Sequence, residues 1–184
     1  MRVAVYDRTC PRLGRVWAAG ARLYRRLGWI DDACGVASWR DALAWLAARE
    51  VHELQYWGHG KWGTLLVDRV PTPVDAIAPV RAQLAPGALV WLRTCESFGA
   101  RAGHDFAMRL ADTLGARVAG HTFVIGYRQS GLHALAPGQR ATWPLAEGLA
   151  AGTPDAPERA RGSSFRAPRT ITALTPRLPA WVWA

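Results

Sequence analysis

Three apolar runs, at residues 2–7, 51–57 and 88–93, recur along the chain with helix-patterned segments between them. Strands separated by stretches of crossover length are joined most simply as parallel neighbours, with the intervening helices packed on the sheet. The pattern therefore predicts an α/β protein with a mostly parallel central sheet and helices on both faces. Open sheets of this kind keep their chemistry at the carboxyl ends of the strands.

Between the runs, Val16, Gly20, Leu23 and Leu27 fall at helical spacing, with Arg15, Arg22, Arg25 and Arg26 largely off that stripe and Gly28 placed to cap the end. Residues 33–37 read as a weaker strand. Ser38 offers an N-cap oxygen with Asp41 three residues on, and Trp39, Leu43 and Leu46 form the apolar stripe of the next helix. Residues 58–63 read as a loop and 64–67 as a short strand. Thr72-Pro73 signals a helix start, and Pro79 predicts that this helix is broken before Leu84. Gly103, Phe106, Leu110 and Leu114 share a helical face that Gly115 ends, and residues 117–125 read as a fourth strand or strand pair. Beyond Gly126 the pattern loosens into a loop over 127–142, a short helix over 143–150, a linker over 152–169 and a last strand over 169–175. The expectation is one domain over 1–184. Its core spans about 1–126, and a loop-rich extension, ending in apolar Trp181-Val-Trp183, packs back on it.

Of 184 residues, 50% are hydrophobic, enough to bury a substantial core. No stretch approaches the roughly 18 apolar residues of a membrane helix, and residues 1–7 do not read as a signal peptide. A cytoplasmic protein is expected. Three cysteines without paired spacing argue against a disulfide framework or a cysteine-rich zinc site. The net charge of +9 comes almost entirely from arginine, Lys61 being the only lysine. Such a bias reads as GC-rich coding, and composition argues against nucleic acid as the partner. The arginines crowded before residue 30 keep a basic-patch binder of nucleic acid or an acidic protein as a distant alternative.

Two strand ends carry side chains capable of chemistry. Leu54-Gln-Tyr-Trp-Gly-His59-Gly60 closes one run and Leu89-Val-Trp-Leu-Arg-Thr-Cys95 closes another, 36 residues on. A thiol attacks carbonyls as its thiolate, which needs a nearby base or cation. An imidazole serves as that base and can return the proton to a leaving amine. The glycines flanking His59 leave room for a sharp turn and a close substrate.

These blocks resemble the two active-site blocks of the caspase-like cysteine peptidases (clan CD), in which one apolar run ends in His-Gly and an adjacent one in the nucleophilic cysteine. The chain looks most like bacterial caspase-like domains of uncharacterised function. Gly63 after His-Gly, the segment Phe98-Gly-Ala-Arg-Ala-Gly103 and the strand opening Gly115-Ala-Arg-Val118 all fit them. The resemblance covers residues 50–126. It implies a three-layer caspase-like sandwich acting as a peptidase on a peptide or protein substrate. In that reading Cys95 is the nucleophile, His59 the general base, the backbone amides of Gly60 and Cys95 the oxyanion hole, and no metal or organic cofactor takes part. Thr94-Cys95-Glu96 departs from the caspase Gln-Ala-Cys-X-Gly, so specificity does not carry over. A catalytically inactive interaction module of the same fold is the main alternative.

Candidate pocket residues are Trp57 and Trp62 flanking His59, Glu96 beside Cys95, His121, and Arg128, Gln129 and Ser130 of the loop after the fourth strand. Glu96 or Asp105 would suit a basic substrate side chain, and Arg93 or Arg128 an acidic one. His104 is expected to face solvent. The histidines show no metal-ligand spacing.

Overall fold

The computed structural model describes residues 1–183. In chain order, β1 (Arg2–Asp7), α1 (Gly14–Arg26), β2 (Asp32–Val36), α2 (Trp39–Leu46) and β3 (Val51–Trp57) open the fold. A meander of β4 (His59–Lys61), β5 (Thr64–Val67) and β6 (Val70–Thr72) leads into α3 (Val74–Ile77) and a 3₁₀ turn over Ala78–Gln83. Next come β7 (Leu84–Arg93), α4 (Ala100–Leu114), β8 (Arg117–His121), β9 (Arg128–Gln129) and β10 (Leu132–Leu135). Three short strands follow, β11 (Leu149–Gly152), β12 (Pro157–Ala160) and β13 (Ile171–Thr172), and a 3₁₀ turn over Ala180–Trp183 is the last element of the described chain.

The central sheet has the order β10-β8-β7-β3-β1-β2. Its first five members by sequence are parallel, and β10 alone runs against β8. Period-two alternation sorts the two faces. Val3, Val5, Leu54, Tyr56, Val90, Leu92 and Val118 point to the face covered by α2, α3 and α4, and form the largest core. On the other face Ala4 and Trp57 meet Ala21 and Tyr24 of α1. Trp91, Ala119 and Leu132 on that face are covered by Ile171 and Val182 of the C-terminal chain. No helix among the described residues is long and apolar enough to cross a membrane.

Several local expectations hold. Ser38 Oγ accepts the Asp41 N–H at 3.2 Å while the Asp41 carboxylate accepts the Ser38 N–H at 3.1 Å, a complete capping box. Gly28 (φ +67) and Gly115 (φ +59) take the left-handed conformation just past α1 and α4. Pro79 lies where α3 gives way to the 3₁₀ turn.

Others are corrected. Residues 59–61 are a strand rather than part of a loop, because β5 supplies their hydrogen-bond partners. The fourth strand stops at His121. The stretch read as a loop over 127–142 holds β9 and β10, so the sheet extends past residue 126. No helix forms over 143–150; Trp143 instead stacks on Phe98 with an interplanar angle of 7°. His104 does not face solvent: it is buried, with its ring against Trp143. The α1 stripe is the largest surprise. Helix α1 buries Gly14, Ala21 and Tyr24, leaving Val16 60%, Leu23 42% and Leu27 50% exposed.

Candidate active site

The neighbouring positions of β3 and β7 settle where the two capable side chains go. The strands pair in parallel with Trp57 opposite Arg93, so His59 and Cys95 leave the same sheet edge two residues later. Both line one cleft of about 390 Å3, bounded by α1, the ends of β3 and β7, and the segments around Ile125 and Leu174.

The glycines beside His59 owe their place to packing, not to a turn, since neither has a positive φ. A Cβ on Gly58 would lie 2.4 Å from the Tyr56 hydroxyl, which passes beneath the strand to donate to Leu66 O at 2.6 Å. A Cβ on Gly60 would lie 2.7 Å from Thr94 Cβ and 2.8 Å from the Cys95 carbonyl oxygen. The His59 strand therefore rests directly on the backbone that presents Cys95. A second pin ties them: the Gly63 N–H at the hairpin tip donates to Ser97 O at 3.1 Å.

The turn that carries Cys95 is tight. Glu96 sits at φ +31, in the region disfavoured for a residue with a Cβ, and its N–H donates to Phe123 O at 2.9 Å. The Thr94 hydroxyl donates to Ser97 Oγ at 2.9 Å, closing the turn from inside. Cys95 Sγ accepts the Ile125 N–H at 3.4 Å. Burial, only partly offset by that bond, pushes the Cys95 thiol up to about 11, so it rests protonated.

His59 has a partner that sequence reasoning missed. Its Nε2 lies 3.2 Å from Cys10 Sγ, and its ring meets Trp17 edge to face with centroids 5.3 Å apart. Cys10 follows β1, the neighbour of β3, so three adjacent parallel strands send their ends to this site. Cys10 Sγ also accepts the N–H of Leu13, the N-cap residue just before α1, at 3.5 Å. The sheet order β3-β1 was the signal that would have found it.

Arg93, on the same face as Trp57, forms the floor. It is 5% exposed, yet all five of its N–H groups have acceptors. Nε donates to Gln129 Oε1 at 3.2 Å; Nη1 donates to the Tyr24 hydroxyl at 2.6 Å and Gln55 Oε1 at 3.3 Å. Nη2 donates to the Thr172 and Ala173 carbonyls at 3.4 and 3.0 Å. Trp91 lies beneath the guanidinium at 4.4 Å, with Tyr24 and Trp57 within 5.6 Å.

Of the expected pocket residues, Trp57 and Gln129 line the cleft and the others do not. His121 is wholly buried, its Nδ1 3.1 Å from Ser130 O, and burial pushes its pKa down to about 3, so it stays neutral. Ser130 is turned inward, bonded to Ser164 O and Thr170. Arg128 lies over the Phe165 ring. Trp62 packs against Gly99, and Asp105 and Glu96 are likewise off the cleft. Leu13, Val16, Trp17 and Leu23 of the α1 region, together with Ile125 and Tyr127, supply the walls instead. Arg22, Arg25, Arg26 and Asp31 line a separate, open depression, where Arg25 pairs with Asp32 at 3.6 Å. Among the described residues no cluster of three His, Cys, Asp or Glu groups could hold a metal.

Burial also pushes Glu96 up to about 7 from an ordinary 4.5, and its Oε2 has no partner. A carboxyl whose pKa is raised on folding leaves stability intact below its unfolded value, and the penalty grows as pH rises through the folded one. Glu96→Gln is therefore expected to match the parent at pH 4 and to exceed it by about 2 kcal/mol at pH 8, after a discount for partial exposure. Denaturant titrations at the two pH values check this. Because ionised Glu96 raises the Cys95 thiol, the same variant should alkylate faster at pH 8 and no faster at pH 5.

No protein-family model matches the chain, and no curated protein matches it.

Proposed function

We propose that the protein is a caspase-like cysteine peptidase of three-layer architecture in which Cys95 is the nucleophile and His59 the general base. The observation that carries the reading is the convergence of both side chains on one cleft, with Gly60 packed against the Thr94 side chain and the Cys95 backbone. The Cys95 thiol passes its proton to His59 as its sulfur attacks the substrate carbonyl carbon. The carbonyl oxygen takes the negative charge, for which the backbone N–H groups of Gly60 and Cys95 are the assigned donors. Collapse expels the amine, which takes the proton from His59, and leaves a thioester on Cys95. Water, deprotonated by His59, then attacks the thioester, releasing the acid and restoring the thiol.

Because the thiol rests protonated, its proton passes to His59 as the sulfur attacks an electrophile rather than beforehand. A peptide-library digest with Cys95→Ala as control tests the proposal. Cleavage lost in that variant and reduced by at least about 100-fold in His59→Ala is the expected result. Cleavage unaffected by Cys95→Ala refutes it.

One observation favours a second reading, a non-catalytic module of the same fold: His59 Nε2 is engaged by Cys10 and the Cys95 thiol by Ile125. Thiol labelling separates the two. The peptidase reading expects iodoacetamide to modify Cys95 faster than Cys34 at pH 7.5, with the rate lowered by His59→Ala. The module reading expects slow labelling of Cys95 that His59→Ala does not change.

A further inference from the structure

We propose that the cleft selects a large apolar substrate side chain, aliphatic or aromatic, beside the scissile bond. This inference rests on the peptidase reading of Cys95 and His59. Three observations carry it.

The first is the character of the walls. Leu13, Val16, Leu23, Trp57, Ile125 and Leu174 face the cleft. An apolar surface of this size next to a reactive pair has its water displaced most favourably by an apolar group.

The second is that Arg93, the guanidinium that reaches the cleft, is already fully engaged, together with the groups around it. Arg93 has an acceptor for each of its five N–H groups, one of them Gln129 Oε1, and the Tyr24 hydroxyl donates to Ala173 O at 2.6 Å. A carboxylate entering from a substrate would have to break these bonds to be paired. A guanidinium or ammonium group would meet Arg93 as a like charge and find no carboxylate among the lining residues.

The third is the exposed stripe of α1. Val16 and Leu23 are 60% and 42% exposed at one helical face, next to arginines that could have occupied those positions without cost to the core. The helix turns its buried face to the sheet through Ala21 and Tyr24, so the stripe adds little to folding. Its apolar character is accounted for by what enters the cleft. Gly20, between these two residues, keeps the helix close enough to reach Trp57: a Cβ there would sit 3.1 Å from the indole.

Two experiments on the full chain test the inference. In the first, a peptide library varied on both sides of the scissile bond is digested. Leu, Met, Phe or Trp is expected to outrank Asp, Glu, Lys and Arg by on the order of 100-fold in kcat/KM. Val16→Glu, at an exposed position that the fold tolerates, is expected to erode that preference by at least about tenfold. Leu27→Glu, on the same stripe but outside the cleft, leaves the ranking intact. Preference for a charged side chain overturns the inference.

The second experiment does not depend on turnover. N-acetyl amides of leucine, phenylalanine, aspartate and arginine are titrated into the Cys95→Ser protein while the backbone amides of Gly126 and Tyr127 are followed by NMR. Shifts confined to the leucine and phenylalanine compounds, and lost in Val16→Glu, support the inference. Stronger binding of the aspartate or arginine compound, or no shift with any compound, overturns it. Apolar binding without any Cys95-dependent cleavage upholds the preference of the cleft and removes the hydrolytic reading instead.

Discussion

Arg93→Ala is expected to cost about 4 kcal/mol of stability, more than any substitution on the surface of this protein. The guanidinium joins three parts of the chain: the Tyr24 hydroxyl of α1, Gln55 of β3 in the central sheet, and the β9–β13 pair, through Gln129 and the Thr172 and Ala173 carbonyls. Truncation removes five donated bonds and opens a hole between three aromatic rings; Gln129 Oε1 loses its donor, while Gln55 Oε1 keeps Trp57 Nε1, Ala173 O keeps the Tyr24 hydroxyl and Thr172 O keeps the Thr175 N–H. Each buried polar group left unpaired costs about 1–3 kcal/mol where it cannot reach water. The hole left by the side chain adds about 3 kcal/mol, as for other large buried side chains cut to alanine, which brings the sum to the stated value. For a chain of this length a loss of that size lowers Tm by roughly 10 °C. Thermal unfolding of the variant checks it. A second readout is proteolysis: the chain around Ala173 should become the first site of cleavage, since it loses the bonds that hold it to the floor. A Tm within about 2 °C of the parent would mean that the guanidinium network contributes no net stability.

Gly60→Ala should be nearly as disruptive and more informative. The added methyl would meet Thr94 Cβ at 2.7 Å and the Cys95 carbonyl oxygen at 2.8 Å, one of them backbone that has no rotamer to give. Either the hairpin lifts or the Cys95 turn shifts. Both strain the contact, at about 1–3 kcal/mol, the usual cost of overpacking a close-packed site. Under the proposed function a displacement of about 1 Å between nucleophile and base costs about 100-fold in kcat/KM, because the reaction needs both at once. Gly58→Ala makes the useful comparison. Its Cβ would meet the Tyr56 ring and hydroxyl, so it should destabilise by a similar amount through the core side of the strand. A larger activity loss at Gly60 than at Gly58, for comparable loss of stability, is the expected outcome. Equal losses would assign the effect to unfolding alone.

Much of the architecture was legible because local chemistry and period agreed with the fold. The capping box at Ser38, the left-handed glycines after α1 and α4 and the break at Pro79 each follow from a residue's own backbone preference. What failed depended on partners far along the chain. The two-residue β9 and four-residue β10 are too short to carry a period, and they are strands because β13 and β8 pair with them. His104 looked like a surface residue on its helix, yet Trp143, 39 residues on, folds back to cover it. The α1 stripe had the right spacing for a core face, but spacing cannot say which of two faces a helix turns to the sheet. Tyr24 decided that, anchored by its hydroxyl to Arg93 and Ala173.

The same division runs through the site. From the sequence alone came the two strand ends, the residue types His59 and Cys95 and the crossover between them, since an apolar run and its terminating residue are local facts. Only the tertiary structure decided that β1 lies beside β3, which brings Cys10 to His59. Only it turned Arg93 from a candidate reader of acidic groups into a fully bonded floor. It also showed that the glycines around His59 are there for contact with Tyr56 and Thr94 rather than for a turn. The physical reason is one of range. Backbone preference and period act over a few residues, whereas burial, hydrogen-bond satisfaction and close approach depend on what the rest of the chain brings to the same place.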